Sequence, residues 1–98
     1  MDLQLSHQAA IVTGASRGIG RAIAQTLGAD GMHLVVVARS RDQLDELAAS
    51  IPTGCLVQAV DLRERDAPAA VVAAAVTRFG RLDLLVNNAG ATKVKGVS

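Results

Sequence analysis

Short apolar runs alternate along the chain with longer segments in which apolar residues recur at helical spacing. A short, uninterrupted apolar run is typical of a strand in a parallel sheet that is covered on both faces. The second run is the clearest, because its consecutive valines at positions 35–37 are β-branched residues that favour strands. The predicted strands are Ala9–Val12, His33–Ala38, Cys55–Val60 and Leu82–Val86.

Three segments between these runs have the apolar spacing of helices. In the first of them Ile23 and Leu27 fall on one face, and we expect Gly28 and Gly31 to bracket its end. Ser40 is positioned to cap the second helix through its hydroxyl group. The predicted helices are Arg21–Leu27, Arg41–Ser50 and Ala69–Phe79, the last with a start between positions 63 and 68 and a stop at Gly80.

The order β-α-β-α-β-α-β predicts an α/β fold, a doubly wound parallel sheet with right-handed crossovers. We predict one domain over residues 1–92 and an irregular tail over residues 93–98. In the usual strand order, 3-2-1-4, the fourth strand would be left as an open apolar edge. Such edges pair with other chains, so we expect marginal stability, self-association or complementation by another chain.

Composition narrows the class of protein further. Half of the residues are apolar and Phe79 is the single aromatic residue, so the core must consist of aliphatic layers. The formal charge of +1 gives no general electrostatic reason to expect nucleic acid or membrane binding. Cys55 is the single cysteine and reads as an inert core thiol, which excludes an internal disulfide and suits a reducing compartment. The start of the sequence does not resemble a signal peptide, and we expect a cytoplasmic location.

The segment between the first strand and the first helix carries three glycines in the pattern Gly-x-x-x-Gly-x-Gly. Gly14 would let the chain turn sharply out of the strand, and Gly18 would let a pyrophosphate approach the backbone. Gly20 would let the helix pack tightly on the sheet. A glycine-rich turn that leads into a helix N-terminus predicts a phosphate-binding site.

Two further motifs follow in order along the chain. Asp61-Leu62 follows the third strand, and Asn87-Asn88-Ala89-Gly90 follows the fourth. Together with the turn Thr-Gly-x-x-x-Gly-x-Gly, these motifs resemble those of the cofactor-binding half of the classical short-chain dehydrogenase/reductase family. The resemblance covers about residues 6 to 92. It implies the N-terminal half of a Rossmann-like dinucleotide-binding fold, and an oxidoreductase that acts on a carbonyl or alcohol group of a small molecule.

The resemblance also implies roles for these motifs. The Asp61 carboxylate would accept a hydrogen bond from the adenine amino group, and the Leu62 backbone would recognise a ring nitrogen. Asn87 would tie neighbouring strands together, while the backbone from Asn88 to Gly90 would line the nicotinamide ribose. The alternatives are a helix cap for Asp61 and ordinary turn chemistry for the two asparagines.

The end of the second strand indicates which nucleotide is bound. NAD-preferring relatives usually keep a carboxylate where this chain has Ala38. Arg39 and Arg17 are instead placed to reach the 2′-phosphate of NADP, and Ser40 can add a hydroxyl donor. Solvated surface charges are the alternative for each arginine, but the pair predicts NADP(H) rather than NAD(H). The predicted cofactor-binding residues are Gly14, Ser16, Arg17, Gly18, Ile19, Gly20, Arg39, Ser40, Asp61, Leu62, Asn88, Ala89 and Gly90.

No catalytic residue is predicted in this chain. Catalysis in the family resembles acid–base chemistry by a Tyr, a Lys and a Ser that lie well beyond the Asn-Asn-Ala-Gly motif, and this sequence has no Tyr. Lys93, Lys95 and Ser98 come too early to fill those roles. We therefore expect a chain truncated before the catalytic residues, which binds a dinucleotide but is inactive alone and needs the missing half for its substrate.

Other classes of function remain as alternatives. One is a non-catalytic NADP(H)-binding or regulatory module. Methyltransferases and receiver domains are disfavoured, because the former usually want an acid after the second strand and the latter need several carboxylates at the strand ends. His7 and His33 lie at strand ends, and no group of residues has the spacing of metal ligands.

Overall fold

A computed structural model describes residues 7–88 of the chain. It contains a parallel sheet of four strands in the order β3-β2-β1-β4, which confirms the predicted fold class. The strands are β1 (Ala9–Thr13), β2 (His33–Ala38), β3 (Leu56–Ala59) and β4 (Leu84–Asn87), and the helices are α1 (Gly18–Ala29), α2 (Arg41–Ala49) and α3 (Ala67–Phe79). The predicted tail, residues 93–98, lies outside the described residues.

The side chains of β1 and β2 alternate between two aliphatic clusters, one on each face of the sheet. One cluster includes Val12 and Leu34 and packs against α1 and α2. The other includes Ile11 and Val35 and packs against α3. Both strands are therefore covered on both faces, as their apolar sequences predict.

The first helix differs from its prediction at both ends. It begins at Gly18 rather than Arg21, because its first turn consists of glycines and Ile19, which carry no amphipathic signal. It ends at Ala29, two residues after the predicted end, and Gly28 and Gly31 bracket this end as expected. A Cβ at Gly28 would lie 2.7 Å from the side chain of Ile51, so this glycine allows a close contact between helix and loop.

The outer strands are shorter than predicted or displaced. Cys55 and Val60 flank β3 rather than belonging to it. The fourth strand begins at Leu84 rather than Leu82, because Leu82 packs into the cluster under α3 and Asp83 bonds sideways to β1. The end of α3 agrees with the prediction, since Gly80 adopts the left-handed conformation of a helix C-cap.

Candidate functional site

A cleft of about 890 Å³ lies at the carboxyl ends of β1, β2 and β3. Open parallel sheets bind their ligands at this edge, and the volume is within the range of small-molecule pockets. Every predicted site residue that the structure describes lines this cleft except Gly20, which is buried behind it. Ala89 and Gly90 lie outside the described residues. Four segments that are distant in sequence, which follow β1, β2, β3 and β4, therefore meet at one place.

The amino end of α1 opens into the cleft without a side-chain cap. Arg17 occupies the N-cap position in an extended conformation, and its side chain makes no capping hydrogen bond. The first turn contains no acidic residue, and Ile19 is 72 % exposed there. The N–H groups of a first turn carry partial positive charge and have no partner within the helix, so this end of α1 favours an anion.

Two glycines of the turn have different physical roles. Gly18 has a φ of +64°, and a Cβ placed on it would meet no atom within 4 Å, so the space beside it is open. A Cβ at Gly20 would instead overlap the carbonyl oxygen of Gly14 and lie 2.8 Å from the Asn88 amide nitrogen. Gly18 thus leaves room at the surface of the cleft, while Gly20 lets the helix approach the turn behind it.

Hydrogen bonds between the ends of β1 and β4 hold the glycine-rich turn after β1 in place. The Thr13 hydroxyl lies 3.1 Å from Oδ1 of Asn87, to which it donates, and 3.3 Å from the carbonyl oxygen of Val86. The Asn88 amide donates to the Gly14 carbonyl over 3.4 Å. Asn87 belongs to β4 and ties it to β1, as the resemblance implies, whereas Asn88 supports the turn and lines the cleft.

Asp61 is held by a neighbour that the sequence analysis did not include. Its carboxylate accepts from the backbone N–H of Arg63 at 2.9 Å and from Nη2 of the same residue at 2.9 Å. These hydrogen bonds from Arg63 lower the pKa of Asp61 to about 2, so the group stays ionised at neutral pH. Asp61 does not cap α3, whose N-cap is Asp66, so the alternative of a helix cap is wrong.

The charges around the cleft are mainly positive. Arg17, Arg39 and Arg63 line it, and Asp61 is the single carboxylate among its described lining residues. Within residues 7–88, neither Arg17 nor Arg39 forms an ion pair, whereas Arg63 is paired with Asp61. A cleft lined in this way attracts anionic ligands.

Ser40 caps a helix in addition to its predicted contact with the cofactor. Its hydroxyl oxygen caps α2 by accepting from the Gln43 N–H at 3.4 Å, as the sequence predicts. The hydroxyl hydrogen can still be donated into the cleft, because the cap uses only the oxygen as an acceptor.

Four lining residues were not predicted from the sequence, and Ala38 was considered there only for its lack of a carboxylate. The four are Val37, Gln43, Val60 and Arg63. Gln43 could have been found, because Ser40-x-x-Gln43 has the spacing of a capping box and so belongs to the turn of α2 that faces the cleft. A basic residue two positions after a strand-end aspartate is a weaker signal for Arg63. The apolar residues Val37 and Val60 end their strands and give no chemical signal.

The cysteine and the metal-ligating side chains in the described part of the chain do not form a second reactive site. Cys55 is half-buried, and burial raises the pKa of its thiol to about 11, which makes it unreactive at neutral pH. Between residues 7 and 88, no group of His, Cys, Asp and Glu side chains is arranged to hold a metal ion. The helices in that part are all too short or too polar to cross a bilayer.

The sequence model of the short chain dehydrogenase family matches residues 8–98. L-xylulose reductase of Mus musculus is 43 % identical over 89 residues, which are 91 % of this chain and 34 % of that protein. The 1,6-dihydroxycyclohexa-2,4-diene-1-carboxylate dehydrogenase of Pseudomonas putida is 39 % identical over 94 residues, or 94 % of this chain and 35 % of that protein. The chain thus spans about a third of the length of the curated relatives it matches.

Solved structures have the same fold. L-sorbose reductase from Gluconobacter frateurii, in complex with NADPH and L-sorbose, superposes with a TM-score of 0.82 at 41 % identity, over 90 % of this chain and 35 % of that one. The 3-ketoacyl-(acyl-carrier-protein) reductase of Brucella melitensis, in complex with NADH, gives a TM-score of 0.77 at 31 % identity, over 83 % and 33 %.

Proposed function

The chain belongs to the short-chain dehydrogenase family, and we propose that it forms the NADP(H)-binding portion of an oxidoreductase. The reaction is the reduction of a carbonyl group, or the oxidation of an alcohol, on a small molecule. A nicotinamide cofactor would supply or accept the hydride. The observation that carries the proposal is the cleft at the carboxyl edge of the sheet. There an uncapped helix N-terminus and an open glycine meet two arginines that form no ion pair within residues 7–88.

The pyrophosphate, the adenine and the nicotinamide ribose of the cofactor would each meet a group near the turn after β1 or the end of β3. The pyrophosphate fits the amino end of α1, since Gly18 leaves open space there. Asp61 is ionised, and its oxygens can accept the adenine amino hydrogen while the Leu62 backbone meets the ring. Asn88 stands on the far side of the turn, where the nicotinamide ribose would lie, with Ala89 and Gly90 beyond the described residues.

The preference for NADP(H) over NAD(H) rests on the residues after β2. Relatives of known structure hold NADPH in one case and NADH in another, so family membership does not decide the nucleotide. Arg39 and Arg17 both line the cleft without an ion-pair partner in the described part of the chain, and Ala38 brings no carboxylate. Guanidinium groups form bidentate hydrogen bonds with phosphate, which NAD lacks at its 2′ position.

An exchange of charge at Arg39 tests this preference. Arg39→Asp should weaken NADP+ binding by at least about tenfold, the loss expected for charge-assisted hydrogen bonds, and should relatively favour NAD+. Arg65→Asp is the matched control, because Arg65 is exposed and near the cleft without lining it. Calorimetric titration of both nucleotides gives the ratio of dissociation constants, and an unchanged ratio in Arg39→Asp would contradict the proposal.

We expect this chain to bind its cofactor without turnover. The sequence has no Tyr, and Asp61 cannot act as a proton donor at neutral pH because its pKa is about 2. A non-catalytic NADP(H)-binding or regulatory module is the second candidate function, favoured by the same observation. Oxidation of NADPH by a panel of small aldehydes and ketones separates the two, with the chain and any longer product of its gene assayed side by side.

Self-association and a cytoplasmic location complete the proposal. In the described sheet β4 pairs with β1 alone, and Leu85 is 56 % exposed on it. An edge strand with exposed apolar side chains presents unpaired backbone groups that a second copy of the chain can pair with. A single cysteine is in keeping with a reducing compartment.

A further inference from the structure

Arg39 and Asp61 leave the sheet side by side. Ala38 is paired with Ala59 in neighbouring parallel strands, and the Val60 N–H donates to the Ala38 carbonyl over 3.0 Å. Neighbouring strands lie about 4.8 Å apart, so the residues that follow them enter the cleft next to each other. The positive charge of Arg39 is near enough to favour the ionised form of Asp61. The two side chains nevertheless form no ion pair with one another.

Arg63 instead forms an ion pair with the Asp61 carboxylate. Its Nε donates to Oδ1 at 3.1 Å, its Nη2 donates to Oδ2 at 2.9 Å, and its backbone N–H donates to Oδ1 at 2.9 Å. A guanidinium fork on both oxygens neutralises the charge of Asp61 and fixes the orientation of its side chain. The attached positive charge also repels a second guanidinium that approaches the same carboxylate.

The absence of that fork would change the position of Arg39. Asp61 is the single carboxylate among the described residues that line the cleft, and without Arg63 its charge would be uncompensated. Arg39 would then be the nearest available cation on the neighbouring strand end, and an Arg39–Asp61 pair would compete with a bound phosphate. An internal carboxylate that pairs with the phosphate-binding arginine lowers the affinity for NADP and leaves the affinity for NAD unchanged.

Resting on the proposed function, we propose that Arg63 is a positioning residue for nucleotide specificity. It holds Asp61 in an ion pair so that Arg39 stays available for the 2′-phosphate of NADP. The adenine amino group is common to NAD and NADP, so any effect of Arg63 on adenine recognition changes both affinities equally. An effect of Arg63 on the availability of Arg39 changes the affinity for NADP alone, and therefore the ratio of the two affinities.

A double-mutant cycle on the full chain tests this inference. Dissociation constants for NADP+ and NAD+ are measured by calorimetry for the wild type, Arg63→Ala, Asp61→Asn and the double variant. Arg63→Ala should shift the ratio toward NAD+ by about three- to fivefold, the effect that an exposed ion pair can exert. In the Asp61→Asn background the same change should leave the ratio unaltered, because a neutral amide does not attract Arg39.

Two further variants separate this role from simpler ones. Arg63→Lys, which keeps the charge beside Asp61, should retain most of the wild-type ratio. Arg65→Ala removes an equal charge two residues away and should leave the ratio at its wild-type value. The side chain of Arg63 is 79 % exposed, so its replacement is compatible with folding, which circular dichroism verifies.

The outcomes are distinguishable. An unchanged ratio in Arg63→Ala, or an equal shift in both backgrounds, would overturn the inference while the proposed function stands. A wild-type chain that binds neither nucleotide, or that binds both equally, would overturn the proposed function and this inference with it.

Discussion

Gly18 has a backbone conformation that a side chain would strain. It also lies at an open surface that a side chain would cover. Its φ of +64° is in the left-handed region, and no atom lies within 4 Å of where its Cβ would be. Gly54 shares both properties, with a φ of +73° and open space around it, but it lies in the loop before β3 and does not line the cleft. The chain therefore offers an internal control for the role of Gly18 in binding.

The variants Gly18→Ala and Gly54→Ala should be destabilised by similar amounts but should differ in their affinity for the nucleotide. A non-glycine residue in the left-handed region costs about 1–2 kcal/mol, which applies to both sites. Only the methyl group at position 18 stands where the pyrophosphate approaches, so Gly18→Ala should weaken NADP+ binding by at least about tenfold. Urea denaturation and calorimetry measure the two effects, and equal affinity of the two variants would show that the phosphate does not lie at Gly18.

The ionisation of Asp61 gives a pH-dependent prediction. Its pKa of about 2 is below the usual value of about 3.9, because Arg63 bonds to the ionised form. A carboxyl group with a lowered pKa contributes stability that is fully present above about pH 4 and is lost as the pH falls toward 2. NMR titration of the side-chain carboxyl carbon should give a midpoint near 2 in the wild type and a higher one in Arg63→Ala. A wild-type midpoint near 4 would show that the ion pair is absent in solution.

At the scale of elements, β4 is attached to β1 by reciprocal bonds at its entrance. The Ala9 N–H donates to Oδ2 of Asp83 at 2.8 Å, and the Asp83 N–H donates to the Ala9 carbonyl at 2.9 Å. Arg81 donates to the same carboxylate at 2.7 and 2.8 Å and, with the bond from Ala9, lowers the pKa of Asp83. These contacts set the register in which Asn87 meets Thr13 at the far end of the strand.

Asp83→Ala should loosen β4 more than Asp83→Asn does. The alanine variant leaves the buried N–H of Ala9 without an acceptor, whereas an asparagine oxygen can still accept it. We expect hydrogen exchange at the Ala9 amide and in β4 to rise by about tenfold in Asp83→Ala, with a smaller rise in Asp83→Asn. Amides in the centre of β2 are the internal reference, and equal exchange in the two variants would contradict the role of the carboxylate.

The sequence predicts best the elements whose burial is uniform. The boundaries of β2 agree because its apolar run is covered on both faces, and α3 ends at Phe79 as predicted because Gly80 forms a left-handed C-cap. The predicted start of β4 was wrong because Leu82 lies before the strand and packs under α3. The motifs predicted residues that the structure brings together at one cleft, but the Asp61–Arg63 pair depends on how the turn after β3 bends. That bend is a local turn, in which the Arg63 N–H donates to the Asp61 carboxylate and the Glu64 N–H donates to the Asp61 carbonyl, and such a turn has no periodic signal in the sequence.

At the scale of the whole molecule, the described fold leaves apolar side chains exposed on both β4 and α3. Leu84 and Leu85 on β4, and Val72 and Val76 on α3, are each at least 41 % exposed. Leu85→Lys should reduce self-association, because a charged residue on an edge strand disfavours pairing with another copy. Val72→Lys places the same charge on the helix and should have a smaller effect. Sedimentation over a range of concentrations decides, and a monomeric wild type or a larger effect of Val72→Lys would contradict pairing through β4.

We propose that NADP(H) binds at the carboxyl edge of the sheet, between the turn after β1 and the ends of β2 and β3. At 10.1 kDa the chain is suited to residue-by-residue NMR, and titration with NADP+ tests the claim most directly. We predict the largest shifts at the amides of Ser16, Gly18, Ser40 and Leu62 and at the side chain of Arg39, with NAD+ giving the same pattern more weakly. Shifts that are absent, or that concentrate on α3 and β4, would contradict it.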